Sequence, residues 1–135
     1  MPHGDLSDLT AFSLWGISLA TFVYPPLWYM ELGPVSATLK AQSEESAILL
    51  KVLAGLLFLV ATALSIVRWN PVNGVPVGLT CLSLSAYIAF SQFTANNGEF
   101  ALDLLYIVAA IMGVAGIHLL TNTNPLMIKP KPKKK

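Results

Sequence analysis

Charge is what this sequence most conspicuously lacks. Of its 135 residues only 11% are Asp, Glu, Lys or Arg, where a soluble domain carries about 25%. With 55% hydrophobic residues and a mean hydropathy of +0.66, the chain would precipitate from water unless its surface faced lipid. The length admits one compact unit. Cysteine is nearly absent as well. A single thiol, Cys81, excludes an internal disulfide and a cysteine-type metal site, and its apolar surroundings make it a small packing residue.

Other scarcities exclude further classes. The two histidines are His3 and His118, and only the second falls in an apolar run, so a haem held by two intramembrane histidines is ruled out. The start, "MPHGDLSDL", has neither the basic onset of a secretory signal nor the Arg-rich character of a transit peptide, so the first apolar run is expected to do the targeting. No Asn-x-Ser/Thr sequon, Ser-His-Asp set, metal cluster or phosphate loop can be read, and no basic aromatic patch that would bind nucleic acid. We therefore expect no catalytic residues, no metal and no nucleic-acid partner.

What is present is four apolar runs of membrane length, each near the roughly 20 residues that a bilayer core requires. They cover residues 10–30, 46–67, 75–93 and 101–120. Each is apolar around most of its circumference, unlike the surface helix of a soluble protein. The expected fold is all-α, a single integral membrane bundle of four transmembrane helices spanning residues 1–135, with a basic tail at 129–135.

The first run contains "YPPLWYM". We read it as one helix kinked at Pro25 and Pro26 and continuing to Met30, with the carbonyls of Thr21 and Phe22 losing their donors. Trp28 and Tyr29 then lie in the interfacial aromatic belt. The alternative is a helix that begins near Ser7 and stops at Tyr24. A kink exposes backbone carbonyls, which is tolerable only against protein or water, so this stretch should face a neighbour. "RWNPVNG" at 68–74 and "ANNG" at 95–98 carry turn signals. In the longer segment 31–46, either Pro34 opens a short surface helix or the second helix begins there and projects.

Lys and Arg set the orientation. Five of the eight basic residues, Lys129, Lys131, Lys133, Lys134 and Lys135, lie in the last seven positions. They fall on the same side as Arg68, while the opposite side holds only Lys40, with Lys51 just inside the second span. Both termini are thus expected on the cytosolic, matrix or stromal side. The lysine tail is read either as a topology signal or as a patch drawn to anionic lipid headgroups, at about 1 kcal/mol per Lys near the surface. The ending "KPKKK" also fits an endoplasmic-reticulum retrieval signal, which leaves that membrane open beside the mitochondrial inner and thylakoid membranes.

Helix association in lipid relies on close packing through small residues. The spans offer Gly16 and Ala20 in the first, Gly55 in the second, Gly78, Cys81, Ser85, Ala89 and Gln92 in the third, and Asp103, Tyr106, Ala110 and Gly113 in the fourth. Intramembrane charges are the default place to look for function. Lys51 and Asp103 fall on the same side and can pair across the bundle, with Gln92 nearby. Otherwise Lys51 snorkels to the headgroups and Asp103 sits in the first turn of the fourth helix, favoured by its dipole. His118 is either a hydrogen-bonding residue or the ligand of a tetrapyrrole. No cofactor is otherwise expected, and chlorophyll or haem at His118 is the exception.

These features point first to a non-enzymatic accessory, structural or assembly subunit of a larger membrane-protein complex. By analogy the host is an organellar energy-transducing complex, respiratory or photosynthetic. The alternatives are a pigment-, haem- or lipid-binding four-helix protein using His118, and a small endoplasmic-reticulum enzyme or transporter using Lys51 and Asp103. The expected partners are the bilayer and other membrane-protein subunits.

Overall fold

A computed structural model of the protein describes residues 6–40, 42–67, 69 and 71–122. Arg68 and the five-lysine tail lie outside the described residues. Four α-helices follow one another: α1 over Leu6–Val23, α2 over Glu44–Ile66, α3 over Pro71–Ala95 and α4 over Leu104–Thr121. By length and composition all four can cross a membrane. The expected all-α architecture of four membrane-spanning helices is thus present.

The helix ends follow from local chemistry. Helix α2 opens with a capping box in which the Ser43 hydroxyl accepts from the Ser46 N–H and the Ser46 side chain returns to the Ser43 backbone. Glu44 and Glu45 then fill its first turn, where the helix dipole favours negative charge. Helix α3 closes with a Schellman motif. Gly98 N–H donates to Phe93 O at 2.9 Å and Asn97 N–H to Thr94 O at 3.1 Å. Asn97 takes the left-handed conformation at φ 56° that this cap requires.

The structure corrects two expectations about the chain between these helices. Helix α1 does not run kinked through Pro25 and Pro26 to Met30. It starts at Leu6 and ends at Val23, and residues Pro25–Tyr29 form a separate 3-10 turn. Two successive prolines remove two consecutive N–H donors, and each disfavours the α conformation in the residue before it. Tyr24 accordingly leaves the helix at φ −136°, ψ 74°. Among its described residues the segment 31–43 forms no surface helix, and α2 begins only at Glu44. A tight turn pairs Leu32 with Val35 across Gly33 and Pro34, with backbone bonds of 2.8 and 3.1 Å. Gly33 supplies the positive φ of 61° that the turn needs. A third difference is smaller: α3 begins at Pro71 and includes Asn73 and Gly74. Proline is favoured at a first helical position, so a turn signal here serves as a helix start.

Packing is most extensive between α3 and α4 and between α1 and α2, and α1 and α4 join the two pairs. Helices α1 and α4 are therefore central, while α2 and α3 flank them. The main core gathers Ala11 and Leu14 of α1, Leu57, Ala61 and Leu64 of α2, Cys81 of α3, and Val108, Met112, Ala115 and Leu119 of α4. A smaller cluster of Trp28, Leu50 and Leu104 lies at the end of the bundle where α2 and α4 begin, termed the distal end below.

Within α1 and α2 the close contacts use residues other than the expected glycines. Gly16, Ala20 and Gly55 are exposed, and a Cβ added at Gly16 or Gly55 would meet nothing within 4 Å. The meeting faces are instead Ala11, Leu14, Ser18 and Thr21 of α1 against Leu50, Ala54, Leu57, Ala61 and Leu64 of α2. The Ser18 hydroxyl fixes the approach by donating to Ala54 O at 2.7 Å. Gly16→Ala and Gly55→Ala should consequently stabilise the chain by up to about 1 kcal/mol through helix propensity alone, as read from unfolding in mixed micelles. A loss at either position would show that its bare backbone meets a surface outside this chain.

Candidate functional site

The densest polar constellation lies at the distal end and is built around Asp103. The sequence places an aspartate immediately before an apolar helix, a favoured N-cap arrangement. Its backbone is extended at φ −136°, ψ 179°, and its Oδ1 accepts from the Tyr106 N–H at 3.0 Å. The other oxygen accepts a short hydrogen bond from the Gln92 amide of α3. Asp103 is only 1% exposed. One carboxyl thus caps α4 and ties it to the last turns of α3.

The segment after the tight turn closes over this pair. Ser36 N–H donates to Leu102 O at 2.7 Å, and Leu104 N–H donates to the Thr38 hydroxyl at 3.2 Å. Leu39 N–H in turn reaches Trp28 O at 2.9 Å. The Trp28 indole is buried, and its N–H donates to the Thr21 hydroxyl at 2.9 Å, which donates to Ile17 O at 2.7 Å. The Tyr29 hydroxyl is bonded to Ser46 at the start of α2. Helices α1, α2 and α4 are thereby latched together at this end through the 3-10 turn and the segment that follows it.

The two expected intramembrane charges are not brought together. Asp103 is engaged by Gln92 and Tyr106, whereas Lys51 is exposed on α2. Helical side chains lean toward the helix N-terminus, which carries the Lys51 ammonium toward the nearer end of α2 and the headgroups. Asp103 sits at the start of its helix, as one of the two readings had it.

The α3–α4 interface contains several of the small residues read from the sequence. Ser85 donates to Ala109 O at 2.7 Å, and its Oγ would lie 3.0 Å from a Cβ placed on Gly113. Gly78 faces Gly116, which sequence reasoning passed over: a Cβ on Gly116 would come within 2.8 Å of Gly78 O. Gly116 follows Gly113 by three residues, and that small-x-x-small spacing is the signal that could have found it. Ala89 is half-buried on α3, and Ala110 is exposed, its place at the interface taken by Ala109.

His118 lies in the last turn of α4, near the opposite end of the bundle from Asp103. It is half-buried, and its Nδ1 lies 3.2 Å from the Asn122 amide. The Tyr106 hydroxyl is buried and has no hydrogen-bond partner among the described residues, and its ring lies against Phe100 with centroids 4.8 Å apart. An unsatisfied buried hydroxyl costs about 1–3 kcal/mol. Tyr106→Phe should therefore be neutral or stabilising for the isolated chain in the same unfolding assay. A clear destabilisation would mean that the hydroxyl is satisfied by a group outside the described chain.

Comparison with known protein families, characterised proteins and solved structures returns no match.

Proposed function

We propose that this protein is a non-catalytic accessory subunit that stabilises or helps assemble a larger membrane-protein complex. The observation carrying this reading is the use made of the buried polar groups. Ser18 holds α1 to α2, Ser85 and Gln92 hold α3 to α4, Asp103 caps α4, and Trp28 and Thr21 latch the distal end. Each is engaged in joining one element to another. Around this frame lie broad exposed faces, with α2 and α3 each packed chiefly on one neighbour. Such a molecule is suited to being packed against.

The host is, by analogy, an organellar energy-transducing complex, with both termini on the matrix, stromal or cytosolic side and the lysine tail set against anionic headgroups. Extraction in mild detergent followed by native electrophoresis tests the proposal. Co-migration with a much larger assembly is expected. Migration as a free species of 14.5 kDa, or as a small oligomer of this chain alone, would overturn it.

A further inference from the structure

The two flanking helices present chemically different free faces. On α2 the exposed residues include Ile48, Leu49, Val52, Leu56 and Leu59, a surface that hydrocarbon covers without cost. On α3 the exposed set includes Thr80, Ser83, Tyr87, Ser91 and Thr94. At 3.6 residues per turn all five lie within about 40° of Tyr87 around the helix. Cys81, Ser85 and Gln92, which face α4, lie roughly on the other side. The outward face of α3 therefore carries a band of hydroxyls pointing away from the rest of the chain, bordered by the exposed Phe90 and Leu84.

Lipid is a poor occupant for this band. Thr80 and Thr94 donate back to the carbonyls of Pro76 and Phe90 at 2.9 and 3.0 Å, so their remaining capacity is as acceptors. The side chains of Ser83, Tyr87 and Ser91 make no hydrogen bond within the described chain. Tyr87 is 69% exposed and is not placed as an interfacial tyrosine. Its Cα is about 12 Å inside the end of α3, and a helical side chain leans toward the helix N-terminus. The hydroxyl is thus carried toward mid-membrane rather than toward the headgroups, where an unmade hydrogen bond costs several kcal/mol.

We propose that this face is covered by α3 of a second copy of the same chain, packed parallel about a two-fold axis along the membrane normal. Two features select that occupant. A hydroxyl both donates and accepts, so a band of hydroxyls complements itself and needs no partner of different charge. The band also repeats every seven residues, at Thr80, Tyr87 and Thr94, with Pro76, Ser83 and Phe90 as the intervening set. That is the period of a left-handed helix pair crossing near 20°. In such a pair each position meets its own counterpart, and the Tyr87 ring of one copy lies over the small Ser83 of the other. The parallel sense keeps both copies in one orientation. The pairing is independent of the accessory-subunit reading, because the dimer can exist with or without a host.

Single-cysteine cross-linking in native membranes tests it, using the full chain with Cys81→Ala. Ser83→Cys should give a disulfide-linked homodimer in at least tenfold higher yield than Leu56→Cys on the exposed face of α2. Repeating both variants with Cys81 retained, where that thiol is buried, guards against damage from its removal. Equal yields, no homodimer at Ser83→Cys, or a Ser83→Cys adduct only to a different protein would each overturn the proposal. Dimerisation of the labelled chain on dilution in liposomes supplies a second readout. Tyr87→Phe should weaken it about eightfold, the effect of two symmetry-related average interhelical hydrogen bonds, and Ser83→Ala combined with Tyr87→Phe and Ser91→Ala by more than tenfold. Unchanged dimerisation in the combined variant would also overturn it. A host containing one copy of the chain leaves the native-gel result intact and loses the cross-link, so the two ideas fail separately.

Discussion

Gly116→Val should separate α3 from α4. The first added carbon alone would stand 2.8 Å from Gly78 O, 2.8 Å from Leu82 Cγ and 3.0 Å from Leu82 N. Two of those three atoms are backbone of α3, so the helix itself must move. Overpacking of a close-fitting core costs about 1–3 kcal/mol, and the two further methyls of valine place this variant at or above the top of that range. The same displacement would pull Gln92 from Asp103 and Ser85 from Ala109. The expected result is a chain that unfolds at much lower SDS fraction in mixed micelles. Gly16→Val, on a face with open space, should be neutral or slightly stabilising, because valine stands above glycine in helix propensity. Similar behaviour of the two variants would show that α3 and α4 do not approach backbone to backbone.

The second large effect is expected at Asp103. Asp103→Ala removes the cap of α4, at about 0.5–2 kcal/mol, and strands the buried Gln92 amide, at about 1–3 kcal/mol. The combined loss is about 1.5–5 kcal/mol in the same assay. Asp103→Asn should recover most of it. Asparagine caps as well as aspartate, and a turned-over Gln92 amide can accept from its NH2 group. An equal loss for Asn and Ala would mean that the negative charge, rather than the hydrogen-bond geometry, holds this corner. In a cycle with Gln92→Leu, the Asp103→Ala penalty should shrink, because the stranded amide is then gone.

Much of this architecture was legible from composition and run length, because the bilayer sets the length of a spanning helix and excludes charge from it. The face of α3 toward α4 was legible too: Gly78, Cys81, Ser85, Ala89 and Gln92 recur every three or four residues. The α1–α2 interface was less so. Gly16, Ala20 and Gly55 look like packing residues by type, yet Ser18 donating to Ala54 O sets the approach, and a serine–carbonyl contact leaves no periodic trace in sequence. The stop at Val23 turned on a balance between one kinked helix and two shorter elements. The paired prolines settle it locally, and the burial of Trp28 against Thr21 settles it in tertiary structure. That contact joins elements across a turn whose path the sequence does not reveal. Asp103 was legible as a helix-start residue. Its closure by Ser36 and Thr38 was not, since it depends on an irregular segment meeting residues more than sixty positions away.

Hydrocarbon surrounds most of these side chains in a four-span protein, and alkaline extraction of the membranes that contain it tests this most directly. After a carbonate wash and high-speed sedimentation the chain should remain in the pellet with the lipid and leave it only in detergent. Recovery of folded, dispersed protein in the detergent-free supernatant would contradict the four-span architecture and every interface described on it.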